Sequence, residues 1–155
     1  MQTIEQTVEL PIPSDRLFDA YLDPAEHARI TGSAVTIGPE VGAVFSAFGG
    51  TITGRNLLIV PKRLIVQAWR ASTWKETDLD SILVLLFDSG RIGGRIKLAH
   101  VNVPDHDHQG VTEGWEKYYW TPWRAHLARA ASPQPEETRK GRPFRSTPGS
   151  SGEAG

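Results

Sequence analysis

Histidine, tyrosine and carboxylate are the side chains here able to move a proton or hold a metal, and two sets of them stand out. Asp105, His106, Asp107 and His108 fall in the run DHDHQG after Pro104, with the donor types of a transition-metal site. No third histidine sits at ligand spacing, so these residues read as a solvent-facing polar loop, and neither a metal nor any other cofactor is expected. His100 differs, because it shares strand phase with Ile96 and Leu98 and so belongs to an apolar face. Buried there, it is either a hydrogen-bonded core residue or an acid–base group with a shifted pKa. Tyr119 is the second group that could serve a cyclase-like or hydrolase-like reaction. No catalytic residue is assigned: Ser46, Ser72, Ser81 and Ser89 lack a Gly-X-Ser-X-Gly setting, there is no Gly-rich phosphate loop, and the chain has no cysteine.

Apolar recognition is better equipped. Residues 111–130 hold three of the five tryptophans, and Trp115, Tyr119, Pro122, Trp123, His126 and Ala130 recur every three or four residues. That spacing is one face of a long C-terminal helix, which needs a concave partner. Pro122 lies inside it and should kink the axis. With Phe45, Gln67, Trp69 and His100 from the strands, Trp115, Tyr119 and Trp123 are the residues that would wall a cavity for a hydrophobic or aromatic small molecule. Gln67, His100, the Tyr119 hydroxyl and the indole N–H groups could orient it. The competing reading is that the rings simply fill a core.

The elements that would position these residues follow from the pattern. Residues 2–10 alternate, with Ile4, Val8 and Leu10 in one phase and Gln6 as a polar intrusion. Ser14, after Pro11 and Pro13, reads as the N-cap of a short helix containing Leu17, Phe18, Tyr21 and Leu22. Asp23 and Pro24 open a second, which Gly32 stops. Strand patterns then cover 34–37, 42–48, 51–60, 63–70, 79–87 and 92–101, with a polar stretch at 71–78. Their short links require an antiparallel meander. The expected fold is α+β, a curved antiparallel sheet of six or seven strands wrapped around the C-terminal helix, with two short helices after the first strand. Residues 1–131 form that domain, and the Pro/Ser/Gly-rich segment 132–155 is expected to be a disordered tail.

Seventeen basic and eighteen acidic residues are interleaved for a net charge of −1, which offers no stripe for a nucleic acid backbone. No stretch approaches the roughly 20 apolar residues of a membrane span, and no signal peptide is visible, so a cytoplasmic protein is expected. Monomer and homodimer both remain open, since edge strands could pair.

The order of elements, FSAFGGTITGRNLLIVPKRLIVQAWR at 45–70, Val103-Pro104, and GWEKYYWTPW at 114–123 together resemble the bacterial single-domain relatives of the activator of the heat shock protein 90 ATPase. These belong to the START-like (SRPBCC, Bet v-like) helix-grip superfamily, and the resemblance covers roughly residues 2–130. It implies the helix-grip fold. It also implies two functional options beside catalysis: a cavity for a hydrophobic ligand, or a stress-related, co-chaperone-like association with a heat shock protein 90 chaperone.

Overall fold

The computed structural model describes residues 1–131; the expected tail at 132–155 lies outside them. Seven strands form one antiparallel sheet in the order β1-β7-β6-β5-β4-β3-β2. The strands are β1 Gln2–Leu10, β2 Val35–Thr36, β3 Val44–Ala47, β4 Ile52–Val60, β5 Leu64–Ala71, β6 Ser81–Ser89 and β7 Gly94–Val103. Five pairings join consecutive strands. The sixth brings β1 beside β7, and helices α1 (Ser14–Leu22) and α2 (Pro24–Thr31) carry the chain from that edge to β2 at the other.

Alternation decides which face is buried. Ile65, Gln67, Trp69 and Ala71 of β5 face the core, as do Ser81, Leu83, Leu85 and Phe87 of β6 and Ile96, Leu98 and His100 of β7. One cross-strand row reads Ile4, His100, Leu83, Gln67, Asn56, so three polar side chains lie in register in an otherwise apolar surface. Strand β7 outruns the expected limit at residue 101. Asn102 adopts φ 61°, the register with β1 shifts there, and Val103 returns to the buried side.

Both short helices form where Pro and Asp punctuate the chain. Asp23 caps α2 by accepting the Glu26 N–H at 2.9 Å, and Gly32 ends it at φ 74°. At α1 the expectation shifts by one residue: Pro13 occupies the cap position, and Ser14 is the first helical residue without a capping hydrogen bond.

The C-terminal helix departs most from the α-helical pattern. It opens with a 3₁₀ turn at Asp105–Asp107, so the polar run is the start of the helix and not a loop. Helix α3 (His108–Trp115) follows, then a π-helical turn at Glu116–Trp120, then helix α4 (Thr121–Ala131). Pro122 supplies the cause. It has no N–H to donate, and its ring would press on the carbonyl four residues earlier. The wider turn relieves this, and the Thr121 N–H reaches back five residues to the Glu116 carbonyl. One inserted residue rotates the face. Val111 and Trp115 are buried before the turn, Tyr119 and Trp120 within it, and Trp123 and Leu127 after it, in place of the expected continuation through His126 and Ala130.

The segment 71–78 is also less polar than its composition. Trp74 is only 6% exposed, packs 5.6 Å from the Trp69 ring, and donates its indole N–H to Asp107 at 2.7 Å. No described helix is long and apolar enough to cross a membrane.

Candidate ligand cleft

The seven residues expected to wall a cavity separate into two sets. Phe45, Gln67, His100 and Trp123 are fully enclosed in the core. Trp69, Trp115 and Tyr119 instead border a cleft of about 190 Å³ between α3, the π turn, and the β3–β4 turn and β5. The remaining wall comes from residues whose spacing gave no signal. Phe48 and Tyr118 contribute rings, Gly110 and Gly114 contribute bare helix backbone, and Asp107 contributes the lone charged side chain of the lining.

The rings form a connected wall. Centroid distances are 5.5 Å for Phe48–Tyr118, 6.0 Å for Phe48–Tyr119, 4.8 Å for Tyr119–Trp115 and 6.5 Å for Trp115–Trp69. Phe48 is held there by a tight turn in which it, Gly49 and Gly50 all have positive φ. That conformation is unusual for a residue with a Cβ, and it is stabilised by the Thr51 hydroxyl and N–H, both donated to the Phe48 carbonyl. The Trp69 indole nitrogen is buried without a partner, so its side chain offers the cleft ring carbon only.

Behind this wall every titratable group is committed. Ser81 Oγ donates to the Trp69 carbonyl at 2.7 Å and must therefore accept from His100 Nε2, also at 2.7 Å. The other imidazole nitrogen, Nδ1, accepts the Trp115 indole N–H at 3.1 Å. His100 is thus a neutral Nε2–H tautomer whose lone pair is occupied, and burial pushes its pKa down to about 3. His27, a residue whose helical spacing to Ile30 was the available clue, donates Nδ1–H to the Tyr21 carbonyl at 2.7 Å. Its Nε2 accepts the Tyr119 hydroxyl at 3.0 Å. Burial lowers the His27 pKa and raises those of Tyr119 and Tyr21. The chain continues from the Tyr21 hydroxyl to Gln67 Oε1 at 3.0 Å, and from Gln67 Nε2 to Asn56 Oδ1 at 2.9 Å. Both His100 nitrogens are engaged, and the Tyr119 proton is given to His27. Gln6, the intrusion in β1, accepts the Trp120 N–H at 2.7 Å and donates to the Thr112 carbonyl.

The Asp105–His108 run does not converge. Asp105 pairs with the terminal amine, His106 with Asp78 at 2.8 Å, and Asp107 with Trp74. Among the described residues no three His, Asp or Glu side chains are grouped to hold a metal ion.

A curved sheet gripping one long helix, closed by two short helices, with an aromatic cleft between them, defines a START-like helix-grip domain. Residues 11–128 match the family described as Activator of Hsp90 ATPase homolog 1-like protein, and the chain belongs to that family. An activator of 90 kDa heat shock protein ATPase homolog from Dictyostelium discoideum is 25% identical over 100 residues, 64% of this chain and 26% of that protein. The human homolog 1 is 25% identical over 92 residues, 58% of this chain and again 26% of the relative. The chain therefore spans about a quarter of the length of these relatives. The crystal structure of an HSP90 activator from Plasmodium falciparum is 27% identical with a TM-score of 0.74, covering 83% of this chain and 97% of that one.

Proposed function

We propose that this domain binds a small hydrophobic molecule, and that the cleft beside α3 is where it sits. The observation that carries this reading is the connected wall of five rings around about 190 Å³ of space. Sites for drug-sized ligands run to roughly 300–1,000 Å³. A cleft of this size suits one aromatic ring or a branched alkyl group, not a lipid or a polycyclic compound. Behind the wall His100 touches Trp69 and Trp115 directly, while Phe45, Gln67 and Trp123 pack one residue further back, against His27, Tyr21 and Trp120.

Titration with single-ring and branched-alkyl compounds, read by tryptophan fluorescence, tests the site. A Cβ at Gly114 would meet only Tyr118 Cδ2, at 3.7 Å, so a side chain can be grown there into the cleft. Gly114→Leu should fold and abolish binding. Equal binding by that variant and the parent would place the ligand elsewhere.

The family match favours a second reading, association with a chaperone of the heat shock protein 90 type, as the relatives' names describe. Stimulation of such a chaperone's ATPase by this chain, together with co-elution of the two, supports it; neither occurring rejects it.

A further inference from the structure

Resting on that reading of the cleft, we propose that the group it selects is an apolar cation, a quaternary or heavily alkylated ammonium, recognised by the rings and by Asp107. Phe48, Trp69, Trp115, Tyr118 and Tyr119 present aromatic surface, whose negative faces attract cations of low hydration. Asp107 supplies the one formal charge of the lining, and no lysine or arginine lines the cleft to neutralise it.

The placement of that carboxylate is unusual in a way that matters. Asp107 occupies the N-cap position of α3, where an Asp side chain ordinarily accepts a backbone N–H of the first turn. Here it makes no capping hydrogen bond. Oδ2 is held instead by the Trp74 indole at 2.7 Å, which fixes the carboxylate without cancelling its charge. Oδ1 lies over Gly110, 2.6 Å from where a Cβ would stand, and so occupies space that any other residue at 110 would fill. That oxygen has no hydrogen-bond partner among the described residues. The carboxylate thus stays over the first turn of α3, where it lines the ring-walled space with one oxygen unpaired.

Two opposing charges are close enough to weigh. The start of α3 contributes about half a positive charge, which offsets part of a full carboxylate charge but not all of it. Lys117 Nζ stands 5.3 Å from the Tyr118 centroid, yet Lys117 does not line the cleft. It occupies one ring at the rim and leaves Phe48, Trp69 and Trp115 for a guest.

The test compares choline with its neutral carbon isostere 3,3-dimethylbutan-1-ol, by calorimetry and tryptophan fluorescence, on the full chain. Choline should bind at least about tenfold more tightly. Asp107→Asn keeps an oxygen for the Trp74 N–H and should erase most of that advantage, bringing choline and the alcohol to within about twofold of each other. Gly114→Leu should remove both. If the alcohol binds as well as choline, the cation preference is overturned and the apolar cleft stands. If neither probe binds and single-ring compounds also fail, both readings fall together.

Discussion

Two regions of the sheet–helix interface stand side by side and are built in opposite ways. In one, Asn56, Gln67, Tyr21, His27 and Tyr119 pass hydrogen bonds from strand β4 to the π turn, and Ser81, His100 and Trp115 do the same beside them. In the other, rings and two helix glycines face one another across open space. The difference is one of tolerance. A buried polar chain holds only while each donor keeps its acceptor, so losing one member leaves others desolvated and unpaired. The apolar side has no such obligations and can gain or lose contacts locally.

Substitutions can break or sharpen that contrast. Trp115 borders both regions, and Trp115→Ala should cost about 3–5 kcal/mol in urea unfolding, because a large buried ring goes and His100 Nδ1 loses its donor. A loss below about 1 kcal/mol would mean that the two regions are not coupled through it. Tyr119→Phe removes only the hydroxyl given to His27 and should cost about 1–3 kcal/mol. Tyr118→Phe, on the half-exposed neighbour, should change stability by less than about 0.5 kcal/mol. Equal effects from this pair would erase the distinction.

Of the two regions acid reaches the polar one first, while the partnered carboxylates of Glu26, Asp78, Asp88 and Asp105, held below their ordinary pKa values, add a loss only at more acid pH. The folded pKa of His100 is about 3, against about 6.5 in the unfolded chain, so below pH 6.5 the unfolded state takes up a proton that the folded state refuses. Its stabilising contribution is complete above about pH 6.5 and is lost as pH falls toward 3, at about 1.4 kcal/mol per pH unit. His27 is shifted in the same direction and steepens the loss. Denaturant unfolding between pH 7 and 4 should show this slope, and His100→Gln should flatten it by close to one proton. At the smallest scale, Gly114→Ala should stabilise the helix by up to about 1 kcal/mol in thermal unfolding, since the added methyl meets only Tyr118 Cδ2, at an ordinary contact distance of 3.7 Å. Destabilisation there would show that the cleft is narrower than its dimensions indicate.

Much of the architecture was readable from local pattern. Alternation placed Ile96, Leu98 and His100 on one buried face, and Asp23-Pro24 with Gly32 marked both ends of α2. What stayed hidden depended on partners far along the chain. Trp74 looked like part of a polar loop because its acceptor is 33 residues away, and Gln6 looked like an intrusion because its partners are more than 100 residues away. The π turn was signalled by Pro122 only as a kink. A bend and an inserted residue are alternative ways to relieve the same clash, and the burial of both Tyr119, bonded to His27 of α2, and Trp120, bonded to Gln6 of β1, favours the second. The cleft escaped for a related reason: its helix wall is bare at Gly114, and a missing side chain leaves no periodic mark.

The pairing of β1 with β7 has a consequence during synthesis. Every other strand can pair with a neighbour close behind it in the chain, but Gln2 meets Val103. At about 5–20 residues per second, a ribosome needs roughly 5–20 s to deliver that partner. For that interval β1 carries Ile4, Val8 and Leu10 with no sheet partner to cover them, and the alternating glutamates and threonines of its other face oppose edge-to-edge association with other chains.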